Sequence, residues 1–265
     1  MKRLSVITSN IILEELRNFP LQAVIWGILE KNNIGSIFEL PGGSVLIMED
    51  SDDPFAFLVG PITSVAVDAA ITIAANASYP MIYCHPRYHH LFLEKNWDFH
   101  LRAEMVLEQI FTPLPIKNGF IIQAIESIDF FKQCYWFKET SERYGSPEQF
   151  LAHGKGYALC KDGHIFSEAY TDYLGGRHAE IGVVTHPNYR GQGFGSQIAS
   201  HLISKCVEES YIPIWSCQIN NRASMKAALK IGFSISRYYI QMVPTVGNTL
   251  GAPLVKWIKD NPDWE

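Results

Sequence analysis

Short apolar runs rich in β-branched residues alternate along this chain with longer stretches whose apolar positions recur every three or four residues. Residues 21–33 (LQAVIWGILEKNN) show the second pattern and predict a helix. Strand-like runs follow at residues 36–40, 44–48 and 55–59, parted by Pro41-Gly42-Gly43 and by the acidic turn 49–54. Residues 64–77 are alanine-rich and helical in spacing, and residues 81–84 form a short strand. Residues 86–96 predict a helix with Pro86 near its first turn, and residues 97–110 a long strand.

The second half repeats this order. Residues 119–125 are strand-like, and residues 129–143 predict an aromatic-rich helix. Ser146 opens another helix, with Pro147 at its first position and Gln149 closing a capping box. Residues 157–160 and 164–170 flank Asp162-Gly163 as a hairpin. Residues 179–185 read as a buried strand. A helix running to Glu208 follows, with Ile198, Leu202, Ile203, Cys206 and Val207 on one face. Residues 212–219 predict a strand. Asn221 is placed to cap a short helix, 222–231, with Gly232 at its C′ position, and residues 233–243 predict a last strand. His85 lies twelve residues before Trp97, as Asn221 lies twelve before Phe233. The chain therefore reads as an internal duplication with a boundary near residues 113–117, giving domains 1–115 and 116–265.

Between the strand at 179–185 and the next helix lies Arg190-Gly191-Gln192-Gly193-Phe194-Gly195. Glycines leave this backbone bare and free to adopt positive φ. They precede a helix N-terminus, where unpaired amides and the helix dipole favour an anion, and Arg190 adds a permanent cation. The loop is not a P-loop, because no Gly-Lys-Ser/Thr follows. It is not the dinucleotide fingerprint either, because the third glycine position falls on Ser196. Its spelling is Arg/Gln-x-x-Gly-x-Gly/Ala. That resembles the acyl-CoA pyrophosphate loop of the GCN5-related N-acetyltransferases, the GNAT superfamily. Asn221-x-x-Ser224 followed by Ile231-Gly232-Phe233 is similar to the second signature of that superfamily. Phe150, Gly156, Glu180-Ile181-Gly182, Thr185 and Pro213-x-Trp215-x-Cys217 extend the resemblance to tandem GNAT proteins related to the zwittermicin A resistance acetyltransferase.

The resemblance implies an α/β (α+β) fold of two GNAT-like domains in tandem. Each would be a mixed, mostly antiparallel sheet with helices on both faces. The C-terminal domain would carry the acyl-CoA site, and the first, whose loop at residues 60–64 lacks Arg-x-x-Gly-x-Gly, would have kept the fold alone. Acetyl-CoA is the implied co-substrate, a small-molecule primary amine the implied acceptor, and direct attack on the thioester the implied reaction. Val183, Val184 and Thr185 would splay from residues 215–219 and take the pantetheine arm. Arg190, Gly191, Gln192, Gly193, Phe194, Gly195 and Ser196 would cradle the pyrophosphate, with Asn221 and Ser224 completing the donor site. An amide near Val184 would polarise the thioester oxygen.

The amine must lose a proton. Glu180 is the first candidate base, through a water, against the alternative of a solvated strand-end carboxylate; Glu168 and Asp172 are the runners-up. The superfamily's usual tyrosine acid falls on Ala228, so Ser224, whose competing role is helix capping, and Tyr238 or Tyr239 are the remaining hydroxyls. Cys217 has no histidine placed by sequence to activate it and reads as a small buried residue. Arg222, Lys226 and Lys230 either reach the adenosine 3′-phosphate or form a solvated helix face. Cys84, His85, His89 and His90 lack a further ligand at matched spacing, so no metal is expected.

Composition narrows the classes. Apolar residues make up 47% of the 265 residues and charged ones 18%, enough for a real core, and the net charge of −5 disfavours nucleic-acid and anionic-membrane partners. It mildly favours a cationic acceptor. Five cysteines without C-x-x-C spacing suit a reducing cytoplasm. Glu14 and Glu15 interrupt any signal-peptide core, and no apolar run reaches membrane length. A protein lysine or N-terminal acetyltransferase, or a non-catalytic CoA-binding regulatory module, is the alternative. An acceptor pocket floored by Trp215 and walled by Tyr135, Trp136 or Phe137 would favour the small molecule. A homodimer and the role of the tail 243–265 stay open.

Overall fold

The computed structural model describes residues 2–95, 97–107 and 112–245. In chain order they form β1 (Lys2–Leu4), α1 (Asn10–Leu16), α2 (Gln22–Leu29), β2 (Gly35–Glu39), β3 (Val45–Glu49), β4 (Phe55–Val59), α3 (Ser64–Ala74), β5 (Met81–Tyr83), α4 (His89–Leu93) and β6 (Trp97–Leu107). These are followed by β7 (Ile121–Ala124), α5 (Ile128–Phe131), α6 (Phe137–Tyr144), α7 (Pro147–His153), β8 (Gly156–Lys161), β9 (His164–Gly175), β10 (His178–Thr185), α8 (Phe194–Glu208), β11 (Ile212–Gln218), α9 (Arg222–Ile231) and β12 (Phe233–Pro244). The expected strand end at 108–110 and the tail beyond residue 245 lie outside the described residues.

Local signals explain most of these bounds. Thr63, Ser127, Ser146 and Asn221 each accept the backbone N–H three residues on, the geometry of an N-cap. Gly232 ends α9 at φ 111°, a conformation that side chains with a Cβ resist. Two differences stand out. Helix α1, capped by Ser9, and strand β1 were not foreseen. The single helix expected over 129–143 is two helices, α5 and α6, for a reason that belongs to the site below.

The residues group into two compact units, each discontinuous in sequence. Among the described residues the first comprises 2–20, 35–103 and 237–245, and the second comprises 21–34, 104–107 and 112–236. The expected division at 115/116 is contiguous and differs from this grouping. In the first unit the strand order is β1-β2-β3-β4-β5-β12-β6, and from β1 to β12 the pairs are antiparallel except for β4 with β5. Helices α3 and α4 cover one face, over a core including Leu46, Leu58, Ile82, Phe99, Ile240 and Met242.

In the second unit the order is β11-β10-β9-β8-β7, with β7, β8, β9 and β10 antiparallel and β10 parallel to β11. Helix α8 packs Ile198, Leu202 and Ile203 against Ala169, Ala179, Ile181 and Trp215 on one face. On the opposite face, Phe131, Tyr144 and Phe150 of α5–α7 enclose Tyr170. Helix α2 also belongs to this unit and lies on β9 and β10. It starts at Leu21, in the left-handed region at φ 59°, whose N–H donates to Glu104 Oε2 at 2.6 Å.

Helix α2 approaches β9 at bare backbone. A Cβ on Gly175 would stand 2.0 Å from the Gly27 nitrogen and 2.3 Å from the Trp26 carbonyl carbon. Neither neighbour is a side chain that can rotate away. We expect Gly175→Ala to destabilise the protein by about 3 kcal/mol, the upper range for overpacking, read as a lower denaturation midpoint in urea.

Candidate active site

Strands β10 and β11 are in parallel register over only three pairs, His178 with Ile212, Ala179 with Pro213 and Glu180 with Ile214. Both strands continue, but no ladder pair joins residues 181–185 to residues 215–218. The strands therefore part just after Glu180, where a splay was expected. On its other edge β10 stays paired with β9 to Thr185, with a register shift between Glu180 and Ile181 that leaves Asp172 without an opposite residue. This is a β-bulge, which bends the strand where the pairing ends.

The glycine loop stands at the far end of the same strand. Arg190 Nε donates to the Thr185 carbonyl at 3.2 Å, fastening the loop to β10. Gly193, at φ 83°, is the residue before α8, and no side chain caps that helix. Gly195 lies against the strand: a Cβ there would come within 3.0 Å of Thr185 Oγ1. Among the described residues no hydrogen bond takes the amides of residues 191–196. In the first turn of a helix they have no carbonyl four residues back to bond. Arg190, Gly191 and Gln192 are exposed, Phe194 is buried, and the Lys230 ammonium reaches within 3.2 Å of where a Gly193 Cβ would stand. Bare amides, the dipole of a fifteen-residue helix and two cations fit a pyrophosphate.

Strand pleating divides β10 between two faces. Ala179, Ile181 and Val183 face α8. Glu180, Gly182 and Val184 take the other face, with Tyr170 opposite Gly182 and Glu168 opposite Val184. All three carboxylates proposed from sequence are thus on or beside one face. Glu168 is committed to the chain. Tyr135 N–H donates to its Oε1 at 2.6 Å, Trp136 N–H to its Oε2 at 3.4 Å, and the Tyr170 hydroxyl donates to it as well. Those two amides are the ones a continuous helix would have bonded to its own carbonyls, so α5 and α6 are separate. Asp172 pairs with Arg143 at 3.0 Å and lies against Gly182, where a Cβ would meet its carboxylate at 2.3 Å. Burial pushes both carboxyls above their ordinary range, Glu168 against its amide and hydroxyl donors and Asp172 against the Arg143 guanidinium. Glu180, at the last ladder pair, is only 7% exposed, so it is not a solvated strand-end carboxylate.

The hydroxyl candidates separate. Ser224 N–H donates to Asn221 Oδ1 at 3.1 Å, which is the cap, while Ser224 Oγ accepts from Trp215 Nε1 at 2.9 Å and keeps its own O–H to donate. Tyr239 falls in the first unit, buried beside Tyr83, with Arg102 Nε donating to its hydroxyl at 2.9 Å. The structure does not group it with Glu180 and Ser224. Tyr238 is in that unit too. Trp215 is 1% exposed in the core under α8, against Phe233, and cannot floor an acceptor pocket. Cys217 shares that core, as does Ala228. Among the described residues no cluster of three metal-ligating side chains occurs, and no helix is long and apolar enough to cross a membrane. The contacts of Glu168 with Tyr135 and of Arg143 with Asp172 join residues too far apart in sequence for periodicity to signal them.

Residues 86–242 match the family model described as GNAT acetyltransferase. The chain belongs to that family. Membership places it among the acyltransferases. It is 31% identical over 130 residues to an uncharacterized N-acetyltransferase of Bacillus subtilis, YdfB. The match covers 48% of this chain and 49% of that protein, so it spans about half the length of the curated relative. Among solved structures, a GCN5-related N-acetyltransferase-like protein from Streptococcus suis is similar with a TM-score of 0.70 at 22% identity, over 87% of this chain and 98% of that one. A tandem GNAT protein from the clavulanic acid biosynthesis pathway is similar with a TM-score of 0.58 at 10% identity, over 93% of this chain and 98% of that one. At these identities the likeness is one of fold, a mixed sheet with helices.

The raised carboxyl of Glu168 makes a pH prediction. A group whose folded pKa is raised contributes most below its unfolded pKa and loses that contribution as pH rises through the folded value. Glu168→Gln abolishes this titration. The melting temperature of the wild type should therefore fall relative to that of the variant as pH is raised from about 4. A difference that does not change with pH in paired calorimetric scans rejects the assignment.

Proposed function

We propose that this GNAT protein is an acetyl-CoA-dependent N-acetyltransferase that acetylates the primary amine of a small molecule by direct attack. The parting of β10 from β11 at the buried Glu180, with the bare-amide loop at the other end of β10, is the observation that carries this reading. Five residues of strand, about 17 Å, separate Glu180 from Thr185. A phosphate anchor and a carboxylate at opposite ends of one parted edge suit a long, flexible thioester.

Bound acetyl-CoA supplies the activated acyl group and a thiolate leaving group. Residues 191–196 hold the pyrophosphate through their amides, with Arg190 beside them. Val183, Val184 and Thr185 offer main-chain groups along the parted edge, and an amide near Val184 polarises the acyl oxygen. Glu180 takes the amine proton through a water. Ser224, whose oxygen already accepts the Trp215 N–H, donates its O–H toward the departing sulfur. It is preferred to Tyr239, whose hydroxyl serves Arg102 in the first unit.

The two units are read as GNAT-like domains in tandem, the second carrying the donor site. Each contains a parallel strand pair three residues long, Phe55–Phe57 with Met81–Tyr83 in the first and His178–Glu180 with Ile212–Ile214 in the second. The tandem architecture of a fold neighbour supports this. The resemblance to the zwittermicin A resistance family and the net charge of −5 favour a cationic amino metabolite as the acceptor.

At one hundred times its dissociation constant, acetyl-CoA should stabilise the wild type by about 2.7 kcal/mol, measured as a shift in melting temperature. Gly193→Val, forced into φ 83°, should remain folded by circular dichroism but lose the shift. Glu180→Gln should keep the shift while kcat/KM for an accepted amine falls about 10²–10⁴-fold. No shift in a folded wild type rejects the donor, and unchanged turnover in Glu180→Gln rejects the base.

A further inference from the structure

Strand β7 is the outer strand of the second unit and pairs with β8 alone among the described residues. Ile125 N–H donates to the Gly156 carbonyl at 2.9 Å, so the odd-numbered residues of this stretch turn their main chain toward β8. By the same alternation the N–H and C=O groups of Ile122 and Ala124 point away from the sheet, and among the described residues no strand lies beyond β7 to take them. Proteins guard such edges with charges, prolines or bulges. The outer strand of the first unit, β1, follows that rule with Lys2 and Arg3. Strand β7 does not. Residues 120–125 (FIIQAI) hold no charge and no proline, and their register with β8 runs without a shift. Ile121 is 63% exposed. The charges lie at the two ends and differ in sign. Lys117, whose carbonyl accepts the Phe120 N–H, and Lys161, whose ammonium stands over the Phe120 ring, mark one end. Glu126 and Asp129, both exposed, mark the other. Among the described residues none of the four is in an ion pair.

We infer that β7 pairs antiparallel with β7 of a second copy of this chain, across a two-fold axis at Gln123. Setting Ile122 opposite the partner's Ala124, and Ala124 opposite the partner's Ile122, satisfies both main-chain groups of both residues from the two strands alone. The same register brings Ile121 opposite the partner's Ile125 and covers its exposed side chain. Antiparallel pairing also reverses the second strand, so the lysine end of each copy meets the carboxylate end of the other. A strand from a different protein would need that order of charges by coincidence, whereas a second copy has it by symmetry. Four residues of ladder make a small contact, so the dimer is a reversible one. The inference is independent of the donor reading above.

In this register residue 123 meets itself, in a pair not bridged by hydrogen bonds, where side chains come closest. Sedimentation velocity tests the consequence. Wild type should be substantially dimeric at about 100 μM, within reach of a small reversible interface. Gln123→Lys and Gln123→Glu change an exposed side chain and should each remain folded by circular dichroism. Each should nevertheless sediment as a monomer, because like charges then stand directly opposite one another. Mixed in equal amounts, the two variants should dimerise again, since opposite charges now meet on the axis. A wild type that is monomeric at that concentration overturns the inference and leaves the edge to a strand from another protein. A dimer that survives in both single variants, or that fails to return on mixing, overturns it as well.

Discussion

A parallel ladder that ends after three pairs parts β10 from β11 just after Glu180. The rest of the second unit is organised around that edge. Bulging at Asp172 turns β9 and β10 where the pairing stops, and Asp172 then lies over Gly182, where a side chain would collide with it. A half-buried carboxylate in that place needs a counter-charge, which Arg143 brings from the end of α6. Asn33 holds the same corner, with its Nδ2 donating to the carbonyls of Arg143 and Asp172 and its Oδ1 accepting from Leu174 N–H. One opened edge thus fixes a bulge, a glycine, an ion pair and an amide side chain.

Glu168 and Glu180 illustrate how burial divides the work between acids. A carboxylate removed from water must be met by donors or it takes up a proton. Glu168 is met by two main-chain amides and a phenol, so its charge is spent on holding the turn between α5 and α6. Exposed Tyr135 is presented from that turn, beside the ring of His186 at the end of β10. A residue fixed in this way makes a poor general base, because its oxygens are already taken by donors of the chain. Glu180, four positions from Val184 on the same face, stands where the strands begin to part.

Much of this was legible in the chain because the signals are local. Arg190 to Gly195 and Asn221 to Gly232 carry their own caps, turns and periodicity, so α8, α9 and the strands beside them fall where the pattern puts them. The gap between α5 and α6 was not legible. Residues 129–143 have helical spacing throughout, and the carboxylate that takes the Tyr135 amide lies 33 residues away. The grouping into units escaped for the same reason. Helix α2 joins the second unit through the approach of Gly27 to Gly175, a contact across more than half the chain. Tyr239 has the sequence position of a late-strand hydroxyl, yet its partners Arg102 and Tyr83 belong to the first unit.

The two units answer the same electrostatic demand in different ways. In each, a strand that opens the parallel pair runs into glycine ahead of a helix. Ahead of α3, the Gly60 amide donates to the Glu15 carboxylate at 3.3 Å, and the Thr63 hydroxyl then caps the helix through Ala66 N–H. That anion is part of the chain and is always present at high local concentration. Ahead of α8 no side chain serves as cap, and the amides of residues 191–196 remain available with Arg190 and Lys230 beside them. An internal carboxylate makes a loop a stable turn. Leaving it out costs the fold a cap worth about 1 kcal/mol and leaves a site that an external anion can fill. The first loop is thus closed by an acid of the chain itself, whereas among the described residues no carboxylate takes the amides of the second.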